Sequence, residues 1–118
     1  MKALYFSPDG DPKINFPLID DVALMMLDLA RDKSGIPFII NSHYRTSEKS
    51  IAVGGSAKDA HTEIPCSAFD IACSSSRDRF LIIKALLDAG FNRIGVAKGH
   101  IHVDKSDALD KNVVWIEQ

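Results

Sequence analysis

The stretch Arg93-Ile94-Gly95-Val96-Ala97-Lys98-Gly99-His100-Ile101-His102-Val103-Asp104 decides how this chain folds. Two β-rich runs, 93–96 and 100–104, flank Ala97-Lys98-Gly99, a tight link suited to a hairpin in which Gly99 is free to take positive φ. Successive side chains of a strand point to opposite faces, so His100, His102 and Asp104 share one face while Ile101 and Val103 turn into a core. Two imidazoles and a carboxylate on one side of a short strand serve packing poorly and suit a metal ion well.

Moving outward, residues 113–116 read as one more strand. Upstream, Ser75 and Asp78 have the spacing of a capping box, with Asp in place of the usual Glu. Phe80, Ile83, Leu86 and Leu87 then mark one face of a helix that Gly90 closes. Residues 67–72 alternate well enough for a strand, and residues 46–66, with Gly54-Gly55 and many small polar side chains, read as a long loop holding one helical turn. Phe38-Ile39-Ile40 is a short buried strand delivering Asn41-Ser42-His43-Tyr44-Arg45 at its end. A helix is predicted from Pro17 to Gly35, with Leu18, Val22, Met25, Met26 and Leu29 on its inner face and Asp20, Asp21 and Asp28 off it. Pro8, Gly10 and Pro12 leave residues 1–16 irregular. The pattern is that of a single α+β domain over residues 1–118, a small antiparallel sheet flanked by two main helices.

Composition sets the outer limits. The 118 residues are enough for one domain with a real core, and 46% hydrophobic and 25% charged residues are ordinary for a globular protein. A net charge of −2, with basic residues scattered singly among acids, argues against a general nucleic-acid binder, which needs concentrated Lys and Arg. No run approaches ~20 apolar residues, so no membrane span is expected. No signal peptide is visible, because the apolar start is short and broken by Pro8. The expectation is synthesis in the cytoplasm, with another protein delivering the chain to any substrate outside. Cys66 and Cys73 form neither a CxxC pair nor a disulfide framework, and are read as two buried thiols. The chain is read as a monomer.

The chemistry-bearing residues cluster near the strand ends. A single histidine, whether His43, His61, His100 or His102, is more often a surface or core residue than a ligand. The spacing of His100, His102 and Asp104 raises the case for a metal. Asp70, between Phe69 and Ile71, adds a carboxylate in an apolar strand, which is costly unless it is paired, hydrogen-bonded or bound to a cation. Two imidazoles and one carboxylate leave the fourth position of tetrahedral zinc open, the catalytic rather than the structural pattern. Arg45 on its own reads equally well as a surface charge, while Tyr44 and Trp115 could line a groove but suit packing better.

These residues in this order resemble a known family. Ser42-His43-Tyr44-Arg45, then Ala52-Val53-Gly54-Gly55-Ser56, His61 and Asp70, and finally Phe91-Asn92-Arg93-Ile94-Gly95-Val96 leading to His100-Ile101-His102-Val103-Asp104, are similar to the zinc D-alanyl-D-alanine carboxypeptidases. That family includes peptidoglycan endopeptidases and phage endolysins. The resemblance implies a hedgehog/DD-peptidase-like fold, a Zn²⁺ cofactor and a peptidoglycan peptide as substrate. It implies His61, Asp70 and His102 as zinc ligands, Asp104 as a support behind them and His100 near the metal as the candidate for proton transfer. It also implies Arg45 as a catalytic and substrate-binding residue, with Ser42 and Tyr44 as further substrate contacts. Two positions depart from the family pattern. His61 and Asp70 stand nine residues apart, a longer gap than usual, and Gly99 occupies the place, three before His102, where many members carry an acid. Either His100 takes over proton transfer, or Glu63 or another acid reaches in, or the chain is a noncatalytic zinc-bearing wall-binding or structural module of a phage particle on the same fold.

Overall fold

A computed structural model describes residues 3–117. Two 3-10 turns, Phe16–Leu18 and Ala60–Thr62, accompany α1 (Asp21–Ser34), β1 (Ile40–Ser42), α2 (Ser47–Ala52), β2 (Phe69–Ala72), α3 (Ser76–Asp88), β3 (Arg93–Val96), β4 (His100–Asp104) and β5 (Val113–Ile116). The five strands form one sheet in the order β1-β2-β4-β3-β5, and α1 packs on α3. The α+β class therefore stands, with β4 at the centre of the sheet. Among the described residues no helix is long and apolar enough to cross a membrane.

One pairing departs from the expected antiparallel sheet: β5 runs parallel to β3. The cause is where the chain re-enters. The end of β4 lies beside the start of β3, with Asp104 opposite Arg93, and after the loop Val113 donates its N–H to the Asn92 carbonyl at 3.1 Å. Starting at the same end as β3, on its outer side, β5 has to run in the same direction. Asn112, at φ 61, turns the chain into the strand, and its side-chain oxygen accepts from Asn92 Nδ2 at 3.3 Å.

The two faces of the sheet have separate duties. Phe69 and Ile71 of β2, Ile94 of β3, and Ile101 and Val103 of β4 join Leu24 and Leu27 of α1 and Ile82 and Leu86 of α3 in one buried cluster. The opposite face carries Asp70, Arg93, Gly95, His100, His102 and Asp104, as the period-2 rule requires.

Both helices begin and end as their caps dictate. Asp20 accepts from Ala23 N at 2.9 Å, Ser75 accepts from Asp78 N at 3.1 Å, and Gly35 at φ 72 and Gly90 at φ 105 close the two. Their buried faces, however, are rotated from the expected ones. In α1 the buried residues are Ala23, Leu24, Leu27, Asp28 and Ala30, while Val22, Met25 and Leu29 stay about half exposed. In α3, Ile82, Ala85 and Leu86 are buried and Phe80 is 65% exposed. Each helix carries two possible apolar stripes, and the one containing alanines faces its neighbour because small side chains let the two helices approach closely. Asp28 is buried because its carboxylate accepts from the N–H groups of Leu4 and Tyr5 at 3.1 and 2.8 Å, fastening the chain start to α1.

Three boundaries are also corrected, the first being the start of α1 at Asp21 rather than Pro17, which lies in the separate turn Phe16–Leu18. The first strand starts at Ile40 rather than Phe38, leaving Ile39 exposed, and β2 starts at Phe69 rather than residue 67. Gly99 does not take positive φ; the hairpin closes through Ala97 N–H to the His100 carbonyl at 3.0 Å. Cys66 and Cys73 are free and buried, and burial pushes the Cys66 thiol up to about 12, which keeps it inert.

Candidate metal centre

Asp70 and His102 face each other across the β2–β4 ladder, being direct partners in the register. Asp70 Oδ1 lies 3.1 Å from His102 Nδ1 and 3.3 Å from His61 Nε2. One donor atom from each of the three residues lies within 4.8 Å of the others. Zinc–ligand bonds of about 2.0–2.1 Å at a tetrahedral angle place ligand atoms about 3.3 Å apart. The Asp–His separations match that spacing, so the donor set fits a zinc ion in chemistry and in reach.

Each imidazole has one nitrogen committed elsewhere. His61 sits in the 3-10 turn Ala60–Thr62, whose cap Asp59 accepts from His61 N at 3.0 Å, and its Nδ1–H donates to the His43 carbonyl. That leaves Nε2 aimed at Asp70. His102 Nε2–H donates to Asp104 Oδ2 at 2.7 Å, which leaves Nδ1 for the centre. Such an outer hydrogen bond fixes both tautomer and ring orientation of a metal-binding histidine. Asp104 is fully buried and in turn accepts from Arg93 Nε at 2.7 Å and Ser106 N at 2.9 Å. The long gap from His61 to Asp70 is strapped down at its middle: Cys66 N–H donates to Leu18 O at 2.7 Å and Asp20 N–H to Cys66 O at 2.9 Å.

The charges respond to this crowding. Burial by itself would lower the His102 pKa, but its hydrogen bonds to Asp104 and Asp70 outweigh burial and lift it to about 9. Burial would likewise raise Asp70, yet its bonds to His102 and His61 hold it well below the usual carboxylate range. Asp104 follows the same balance, with burial opposed by His102, Ser106 and Arg93, and also falls. Without a metal, the centre holds a proton on His102 between two carboxylates.

The trio opens onto a cavity of about 520 Å³, whose wall also includes Arg45, Asp59, His100, Trp115 and Glu117. The Arg45 guanidinium has Nη2 3.5 Å from Asp59 Oδ2, while its Nε is buried without a partner. Asp59 also takes the hydroxyl of the buried Ser50. His100 places Nε2 4.0 Å from Asp70 Oδ1 and 2.8 Å from Glu117 Oε1. Trp115 leans over His102 with ring centres 5.4 Å apart, and the Arg93 guanidinium lies 4.9 Å from the indole centre.

Four residues singled out from the sequence lie elsewhere. Ser42 and Tyr44 are not on the cavity wall; Ser42 pairs with Asp70 through the ladder, and Tyr44 packs beside Ala60, Cys66 and Ala68. Glu63 accepts from Ser106 Oγ at 2.7 Å and lines a separate cavity next to Pro65 and Lys105. His43 is buried against Phe69, its Nδ1 accepting from Asn15 N and its Nε2 donating to the Cys66 carbonyl, and burial lowers its pKa. Trp115 is half-buried against His102 and Arg93 and also lines the cavity. Glu117, Arg93 and Asp59 are additions that the sequence reading passed over. The signal for Glu117 was the alternation that puts residues 113, 115 and 117 on one side of β5.

An α+β sheet that carries two imidazoles and a carboxylate at the wall of an open cavity defines a candidate metallohydrolase. A family model described as peptidase M15 matches residues 14–104, a span that includes all three donors. The chain belongs to the peptidase M15 family, a family of zinc-dependent peptidases. No curated protein and no solved structure matches it.

Proposed function

We propose that this protein is a zinc peptidase that hydrolyses an amide bond in the stem peptides of peptidoglycan. The observation that carries the reading is the placement of Asp70 Oδ1 3.3 Å from His61 Nε2 and 3.1 Å from His102 Nδ1 at the edge of an open cavity. Family membership supports the peptidoglycan substrate class.

His61, Asp70 and His102 hold the ion. When bound, zinc supplies Lewis acidity that polarises a carbonyl and lowers the pKa of water. Asp104 keeps the His102 ring turned so that Nδ1 faces inward. Arg45, on the cavity wall, offers its guanidinium charge to the substrate carbonyl and to the negative charge that builds on its oxygen. Asp59 holds that guanidinium in place from one side. His100, a third exposed, stands where a proton can pass between solvent, substrate and protein.

Metal analysis of the purified protein, followed by mass analysis of muropeptides after treatment with the zinc-loaded form, tests this reading. One bound zinc and new muropeptide fragments are expected. His61→Ala and His102→Ala variants that keep their zinc overturn the ligand set. Sedimentation with the wall and no new amine groups overturns hydrolysis in favour of a wall-binding module.

A further inference from the structure

Of the four carboxylates on the cavity wall, three serve the donor trio or Arg45 and one faces His100. Asp70 faces the two imidazoles, and Asp104 is fully buried between His102 and Arg93. Asp59 is taken by Ser50, by the His61 N–H and by Arg45. Glu117 remains. Among the described residues on the cavity wall it is the only carboxylate hydrogen-bonded to His100, with Oε1 2.8 Å from Nε2, and that same Nε2 is 4.0 Å from Asp70 Oδ1.

The position of Glu117 is built rather than incidental. Its backbone N–H donates to the Val96 carbonyl at 2.9 Å, continuing the β3–β5 ladder by one residue. Its Oε2 accepts from the Trp115 indole Nε1–H at 3.1 Å. The carboxylate occupies space that a side chain on Gly95 would fill, since a Cβ there would stand 2.5 Å from Oε2. With its side chain 25% exposed, Glu117 is held on three sides and reachable from the cavity.

We propose that Glu117, acting with His100, is the carboxylate that carries the proton in hydrolysis at this centre. The proposal rests on the hydrolase reading above. As the oxygen of an attacking water bonds to the amide carbon, one of its protons passes to the His100–Glu117 pair. The same proton passes to the amide nitrogen as the C–N bond breaks, so the hydroxyl stays on the new acid, the amine leaves neutral and the pair returns to its starting state. The hairpin residue Gly99 contributes no side chain to this task, and Glu63 lies in another cavity. Position 117 lies beyond the residues 14–104 matched by the family model, so the carboxylate comes from an element outside that match.

The test compares zinc-loaded wild type and Glu117→Gln on soluble muropeptides. Zinc content should be equal, while kcat should fall by about 100-fold or more, the range of a lost proton-transfer group. Independently of activity, the Trp115 indole N–H resonance should shift in the variant, with or without metal. Turnover within about threefold of wild type overturns the proposal alone, and loss of zinc by the variant overturns it in favour of a metal-holding role. If Glu117→Gln does not fold, Glu117→Asp keeps the charge and withdraws it by one methylene; unchanged kcat in that variant overturns the proposal. A wild-type protein that binds zinc and releases no amine overturns the hydrolase reading and this one together.

Discussion

His102 and Asp104, two residues apart on β4, are joined by a 2.7 Å hydrogen bond from Nε2 to Oδ2. Alternation puts both side chains on one face, so the strand supplies a donor to the centre and the carboxylate that steadies it. Asp104→Asn leaves the shape and removes the charge. Zinc affinity should fall about 10–100-fold, as for other lost outer partners of metal-binding histidines. Arg93 loses its charged partner in a buried position, so stability should also drop, by about 3 kcal/mol. Zinc titration and denaturant unfolding read the two effects separately, and a variant unchanged in both removes Asp104 from the description of the site.

With the proposed ligand set, the raised pKa of His102 makes zinc binding pH-dependent. Its folded pKa is raised to about 9, so at neutral pH an incoming metal has to displace one proton, whereas Asp70 is already ionised. Zinc affinity should climb about tenfold per pH unit from neutrality up to about 9 and then level off. Calorimetry in buffers of different ionisation enthalpy should count about one proton released per zinc at pH 7.

The same groups set the stability of the metal-free protein. His102 has a raised folded pKa, so its contribution is complete below the unfolded value near ~6.5 and is lost as pH rises through about 9. Asp70 and Asp104 have depressed folded values, so their contribution is complete above the unfolded value near ~3.9 and is lost as pH falls through the folded values. Thermal melts in the presence of a chelator should therefore peak between about pH 4.5 and 6.5 and decline towards pH 9. A melting temperature that rises from pH 6.5 to 9 contradicts the His102–Asp104 pairing.

How much of this was legible in the sequence depends on the range of the interaction. The β4 pattern is local and period-2, and it gave the inward Ile101 and Val103 and the outward His100, His102 and Asp104 without ambiguity. The cap at Ser75 was equally readable, because it acts within three residues of itself, whereas Asp20, expected inside a helix starting at Pro17, is the cap of α1. The helix faces were not, since α1 carries apolar residues on both possible stripes and only the approach of α3 selects the one with Ala23 and Ala30. Glu117 was hidden for a different reason. Its place beside His100 depends on β5 joining the far side of β3 in parallel, and no spacing along the chain encodes that choice.

His43 offers a control that separates packing from ligation. It is 1% exposed, stacked on Phe69 and hydrogen-bonded at both ring nitrogens, and its backbone carbonyl accepts from His61. His43→Ala should cost about 2–4 kcal/mol through the cavity and the two orphaned partners. Below the new melting temperature the variant should still take up one zinc, in contrast to His61→Ala and His102→Ala. Loss of zinc from a folded His43→Ala protein would show that the imidazole itself, not its packing, serves the centre.

Gly95 makes the sharpest prediction about how the cavity is assembled. It sits opposite His102 on one side of the sheet ladder and opposite Trp115 on the other. A Cβ added there would stand 2.8 Å from Trp115 Cε2 and 2.5 Å from Glu117 Oε2, closer than either can tolerate without moving. Gly95→Ala therefore has to push the indole away from His102 and the carboxylate away from His100, while His61, Asp70 and His102 themselves are left where they are. Overpacking of this kind costs about 1–3 kcal/mol, so the variant should fold with a lowered midpoint of unfolding. Its zinc content should stay at the wild-type level while turnover falls, and the Trp115 indole resonance should shift. A variant that keeps full turnover with a displaced indole would mean that the β5 wall shapes the cavity without taking part in the chemistry. One that loses zinc would mean that Trp115 and Glu117 brace the metal ligands themselves.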